Sequence, residues 1–208
     1  MERNSQGTSS DHDAPSSAHG LSSDGSVSLS SLIHLYYPNP DALADFRLVS
    51  HNQTPTVYQQ LLSHISHMTV TVERFYGQPL DVSVLRSGQD SRHYFREILL
   101  RTQHDQKVVQ YGIVRLHLNH VPEAPRREIL EEKKPLGRVL IEHNVLREIE
   151  LCDLFEVTCG PYLSRYLEVP LHAKTYGRTA MLHCNGEPAI ELLEIVAPVM
   201  ENVPFSQV

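Results

Sequence analysis

In the stretch SRHYFREILLR, residues 91–101, a permanently charged side chain stands in an apolar-rich run that reads as a β-strand. Alternate residues of a strand face opposite sides. Tyr94, Arg96, Ile98 and Leu100 therefore share one face, and Phe95, Glu97 and Leu99 the other. Arginine keeps its proton at any ordinary pH. If its face is buried it must meet an anion, either a glutamate of the same chain or the carboxylate or phosphate of a ligand.

Three further groups could do chemistry. In AIELLEIV, residues 189–196, Glu194 shares a strand face with Ile190, Leu192 and Val196, and Glu191 shares the opposite face with Ala189, Leu193 and Ile195. On a sheet with one solvated face, one of these acids is ordinary surface. The other is a carboxylate in apolar surroundings, where its pKa rises and it can exchange a proton; the pattern itself does not choose between them. In KKPLGRVL, residues 133–140, Lys134-Pro135-Leu136-Gly137 breaks a helical pattern and can leave backbone N–H groups facing an anion, or be a plain helix-to-helix turn. Thirteen histidines include the i, i+3 pairs His64/His67 and His117/His120, but no HExxH motif or ligand-spaced third residue accompanies them, so no metal site is expected. No phosphate-binding glycine loop and no GxSxG nucleophile motif occurs.

The elements that must position these residues are mostly strands. PLDVSVLRSG alternates at Leu80, Val82 and Val84; HYFREILLRT and KVVQYGIVRLHLN are joined by a polar turn at Gln103–Gln106; TVTVERFYG reads as strand-like up to the Gly77-Gln78-Pro79 turn. GRTAMLHC and EPAIELLEIV flank Asn185-Gly186, the strongest short hairpin signal in the chain. Helices are expected after Pro40, in TPTVYQQLLSHISHM with Val57, Leu61, Leu62 and Ile65 on one side, in REILEEKKPLGRVLIEH, and in part of 144–170. Strands paired by hairpins, with helices early and midway, predict an α+β domain on an antiparallel sheet rather than a doubly wound one.

The chain has 208 residues, suited to one domain plus a tail, and its net charge of −7 does not favour a nucleic-acid partner. Residues 1–27, rich in Ser, Gly and Asp, predict a disordered tail before a domain at 28–208. The three cysteines, Cys152, Cys159 and Cys184, form no C-x-x-C pair and suit thiols in a reducing, cytoplasmic setting. The N-terminus lacks the apolar core of a secretory signal, and no apolar run is long enough for a membrane span.

Four blocks together resemble the chorismate lyase (chorismate pyruvate-lyase) family, in its divergent branch: SHMTVTVERFYGQPLDVSVLR, SRHYFREILLR, KKPLGRVL and YGRTAMLHCNGEPAIELLEIVAP, in the family's order over roughly residues 66–198. The resemblance implies a chorismate lyase-like fold, an antiparallel sheet whose buried ligand site is closed by helical flaps. It implies conversion of chorismate to 4-hydroxybenzoate and pyruvate with no metal or organic cofactor. By motif position the ligand would be held by Met68, Arg96, Leu136 and Glu194, with Arg96 on the ring carboxylate and Glu194 at the hydroxyl end, where it would assist proton transfer. The resemblance also selects Glu194 over Glu191, and Arg178, at the Gly-Arg start of its strand, is placed at a second carboxylate. The pattern departs at Ile113, where the ubiquinone-pathway enzymes carry Arg, and in a longer 141–172 stretch. A non-enzymatic aromatic-acid-binding module of the same fold, or a lyase for a related enolpyruvyl ether, are the alternative readings.

Overall fold

The computed structural model describes residues 27–145 and 147–199. Seven strands form one sheet: β1 (Ala44–Val49), β2 (Leu80–Gln89), β3 (His93–Thr102), β4 (Val108–His117), β5 (Arg147–Cys159), β6 (Lys174–Cys184) and β7 (Glu187–Val196). Their order is β1-β5-β6-β7-β4-β3-β2, and every neighbouring pair is antiparallel. Two three-stranded meanders, β2-β3-β4 and β5-β6-β7, thus join through β4 and β7. The α+β class and antiparallel sheet expected from the sequence are those of the structure.

Six α-helices cover the sheet: α1 (Leu29–His34), α2 (Thr56–Leu62), α3 (Met68–Tyr76), α4 (Glu123–Leu130), α5 (Leu136–Glu142) and α6 (Pro161–Leu167). On one face α2 and α3 pack over Ile98, Leu100, Leu154 and Val196, while α4 and α5 pack over Tyr94, Val114, Leu182 and Leu192. The seam between these two covers runs above the middle of the sheet. On the opposite face α1 and α6 bury Leu99, Tyr111, Ile113, Leu193 and Ile195. Val27 is buried in that second core; the rest of the expected tail lies outside the described residues.

Because both faces are covered, neither Glu191 nor Glu194 is solvated as the one-sided sheet had required: Glu191 is 3% and Glu194 7% exposed. Glu191 lies opposite Arg115 on β4 and pairs with it, Arg115 Nη2 donating to Glu191 Oε1 at 2.7 Å. On the same face Glu97, fully buried, accepts from Arg86 Nε at 2.7 Å, from Tyr111 at 2.6 Å and from Tyr37.

Four local expectations differ from the structure. TVTVERFYG is helical: Met68, Val72 and Phe75 fall on one buried side at i, i+4 and i+7, and Gly77 closes the helix at φ 67°. The alternating Thr and Val residues suggested a strand, but helical burial overrides that propensity. The helix in TPTVYQQLLSHISHM stops at Leu62, leaving Ile65 exposed. The helix expected after Pro40 is a single 3-10 turn, Pro40–Ala42, ahead of strand β1. The 144–170 region is helical in part as expected, in α6, but it also holds the thirteen-residue strand β5. A bulge between Leu151 and Asp153 shifts the strand's phase by one residue, so its alternation is broken when read along the chain. The expected final hairpin is present, with Asn185 at φ 54° and Gly186 at φ 85°, a type I′ turn.

Candidate functional site: an arginine without a partner

Cross-strand register builds the floor of the site. Arg96, Val114, Leu192 and Ala180 form one row across β3, β4, β7 and β6; Ile98, Gly112, Glu194 and Arg178 form the next. The roof is the seam between the covers. The first residues of α3, Met68 and Thr69, and those of α5, Leu136 and Gly137, meet there, and neither helix has a side-chain cap. Helix first turns carry N–H groups with no acceptor inside the helix, so both ends bring backbone donors to the cavity. Gly137 permits the approach: a Cβ there would stand 3.0 Å from Thr69 Oγ1. Arg138 Nη2 and Glu73 Oε2, 2.6 Å apart, tie the two covers together.

The cavity has room for the centre of a water-sized sphere over about 40 Å³, within about 530 Å³ of unfilled space that includes open solvent at its mouth. Met68, Arg96, Leu136, Arg178 and Glu194, which the sequence places at a ligand, all line it. Pattern reasoning missed Gln110, Thr69 and Ile98, because an isolated polar or apolar residue on a strand carries no signal of what lies above it.

Among the described residues three arginines are buried, Arg96, Arg115 and Arg178. Arg115 has Glu191. Arg178, 1% exposed, donates from Nε to Glu194 Oε2 at 2.7 Å and from Nη1 to the carbonyls of Leu62 at 3.0 Å and His64 at 2.9 Å. It therefore ties the end of α2 and the following turn to the sheet. Arg96 is also 1% exposed, yet Nε, Nη1 and Nη2 all lack a hydrogen-bond partner among the described residues. Burial holds its pKa below the ordinary arginine value, opposed by the nearby Tyr94 hydroxyl and the Glu132 carboxylate. Tyr94 spends its own proton on Glu132 Oε1 at 2.7 Å. Glu132 is held below the usual carboxylate range: its partial burial is outweighed by hydrogen bonds from Ser87 and Tyr94 and by the charge of Arg96.

No protein-family model and no curated protein matches the chain. Solved structures do. The effector domain of PhnF from Mycobacterium smegmatis matches at TM-score 0.46 and 10% identity, over 64% of this chain and 88% of that one. The ligand-binding domain of a protein assigned to the GntR-family transcriptional regulators from Bordetella bronchiseptica matches at 0.44 and 12%, over 62% and 91%. A GntR-family transcriptional regulator from Bacillus cereus matches at 0.42 and 8%, over 62% and 97%. These likenesses, at 8–12% identity, concern fold alone and do not name the arrangement expected from the motifs.

The lyase activity expected from those motifs is corrected. The similar structures are regulator domains. Within the cavity Glu194, the one carboxylate lining it among the described residues, is held in an ion pair by Arg178. With the lyase go chorismate as substrate, pyruvate and 4-hydroxybenzoate as products, and a place in aromatic biosynthesis. The expected exclusion of a nucleic-acid partner is withdrawn as well; a transcriptional regulator is among the similar structures, a role that belongs to that protein. No helix of the described residues is long and apolar enough to cross a membrane.

Proposed function

We propose that this domain is a non-enzymatic binding module for a planar organic acid, of the aromatic-acid class, and that Arg96 supplies the counter-charge to the ligand's carboxylate. The unpartnered, buried guanidinium of Arg96 carries this reading. An isolated buried charge costs several kcal/mol, on the order of the penalty for a broken internal ion pair. A planar carboxylate can meet the guanidinium fork through two parallel hydrogen bonds. Ile98, Leu136, Val114 and Leu192 offer apolar walls to a ring, and Met68 and Leu136 bring the first turns of α3 and α5 to it. Glu194 and Arg178 frame the site and fix the turn after α2, rather than transferring protons. Cys159, whose thiol burial raises to about 11, is inert, in keeping with a reducing cytoplasmic setting.

The test is calorimetric titration of the purified chain with benzoate and its ring-substituted relatives, beside Arg96→Ala. Saturable one-site binding, lost in the variant, is the expected result. Absence of binding by any benzoate, or undiminished binding to Arg96→Ala, would overturn the assignment.

A further inference from the structure

The cavity contains a second buried polar side chain whose hydrogen-bonding capacity is unmet. Gln110 on β4 is 2% exposed and lines the cavity, and its Oε1 has no hydrogen-bond partner. A buried acceptor left empty costs about 1–3 kcal/mol, so its presence calls for a donor that the described residues do not provide.

Its position relative to Arg96 follows from register. Arg96 lies opposite Val114, and Gln110 lies opposite Leu100. Val114, Gly112 and Gln110 succeed one another on the cavity face of β4, so the backbone positions of Arg96 and Gln110 are about 13 Å apart along the strand direction, with both side chains reaching over the same face. Between them the floor is Gly112, flanked by Ile98 on β3 and Glu194 on β7. Glycine leaves a recess there. An added Cβ would stand 3.3 Å from the Leu193 carbonyl and 3.4 Å from Ile98 Cγ1. Glu194 is nearer the middle of the recess, but its carboxylate already serves Arg178.

We infer that Gln110 is the specificity-determining residue of the site: it accepts a hydrogen bond from a hydroxyl or amino group carried by the ligand at the end opposite its carboxylate, with the ring lying over Gly112. This rests on the proposed binding of an organic acid at Arg96 and narrows that acid to one with a distal donor. It also moves the reading of the distal group from Glu194, where the motif resemblance had put it, to a residue no motif marks.

The experiment compares 4-hydroxybenzoate and 4-aminobenzoate, which carry the donor, with 4-methylbenzoate, which fills the same space without one, on the wild-type chain and on Gln110→Met. The wild type should bind the two donor ligands about tenfold or more tightly than the methyl compound, the scale of one buried hydrogen bond. Gln110→Met should erase that preference, so that the three ligands bind alike. Arg96-dependent binding with no preference in the wild type, or a preference that survives in Gln110→Met, would overturn the role of Gln110 while leaving the organic-acid reading standing. No binding of any of the three would remove both. Should Gln110→Met not fold, 4-methoxybenzoate on the wild type replaces it. An ether oxygen accepts but does not donate, so it must bind as weakly as the methyl compound, and affinity equal to that of the hydroxy compound would overturn the role.

Discussion

Arg178 and Glu194 stand directly opposite one another on β6 and β7 and share a 2.7 Å ion pair, while Arg96, equally buried in the same cavity, has no carboxylate within hydrogen-bond reach. The pair and the orphan predict opposite outcomes when each is changed.

Replacing Arg96 by Met removes a buried charge that no described residue hydrogen-bonds and that Glu132 offsets only in part, and keeps most of the side chain's volume. Exchange of a buried ionic group for a packed apolar one is worth about 1–4 kcal/mol of added stability in comparable cases. Arg96→Met is expected to raise the urea midpoint of the ligand-free protein while abolishing benzoate binding. A lowered midpoint in a folded variant would show that Arg96 has an internal partner after all.

Glu194→Gln leaves the Arg178 charge buried without its carboxylate, although the Leu62 and His64 carbonyls still accept from it. Loss of one partner from a buried pair costs about 3–5 kcal/mol, and the remaining carbonyls and the new amide oxygen put this variant at or below the lower end. Denaturant unfolding measures the loss. Hydrogen exchange should locate it, with faster exchange at the turn after α2 because Arg178 holds that turn to the sheet.

Gly112→Val fills the recess in the floor. With backbone 3.3 Å from the new Cβ on one side and Ile98 on the other, overpacking of about 1–3 kcal/mol is expected. Ring-bearing acids should lose binding far more than the stability loss accounts for, whereas acetate, small enough to sit at Arg96 alone, should be little affected. Titration of both ligands into the folded variant checks this.

Stability should fall as the solution is acidified through the histidine range. His117 is held below its ordinary value by burial and by His120, His93 and Arg92, against the opposing Asp90. It stacks on His120 with ring centroids 3.8 Å apart. His64 is lowered by burial and by Arg178, against Glu194 and the backbone groups of Leu61 and Ser66. Above the unfolded-state value of about 6.5 both the folded and unfolded chains keep these rings neutral; below it the unfolded chain takes up protons that the folded chain refuses, and stability drops until the lowered folded values are passed. Urea midpoints should therefore decline from about pH 7 to about pH 5, and His117→Gln should flatten part of that slope. A slope unchanged in the variant would mean that His117 contributes nothing to it.

The sequence by itself determined the hairpins and marked Arg96, Arg178 and Glu194, though not Gln110 or Thr69, among the polar residues that gather at the site. Asn185-Gly186 dictates a tight turn because both positions must take positive φ, and it brings Glu194 back across from Arg178. Strand alternation alone put Arg96 on a face with Tyr94, Ile98 and Leu100, where the structure has it buried. What only the tertiary structure decided is which charges are satisfied. Alternation sets the face of a side chain but not what lies above it. Glu191 and Glu194 read alike along the chain, and only sheet register and the covering helices gave one to Arg115 and the other to Arg178. The helix at Met68–Tyr76 and the strand around Leu151–Asp153 were illegible for the same reason. In the first, packing over the sheet overrode β-branched propensity; in the second, a bulge broke the period on which a strand is recognised. The orphaned Arg96 and Gln110 belong to that second kind of knowledge, since the absence of a partner is a property of the space around a residue.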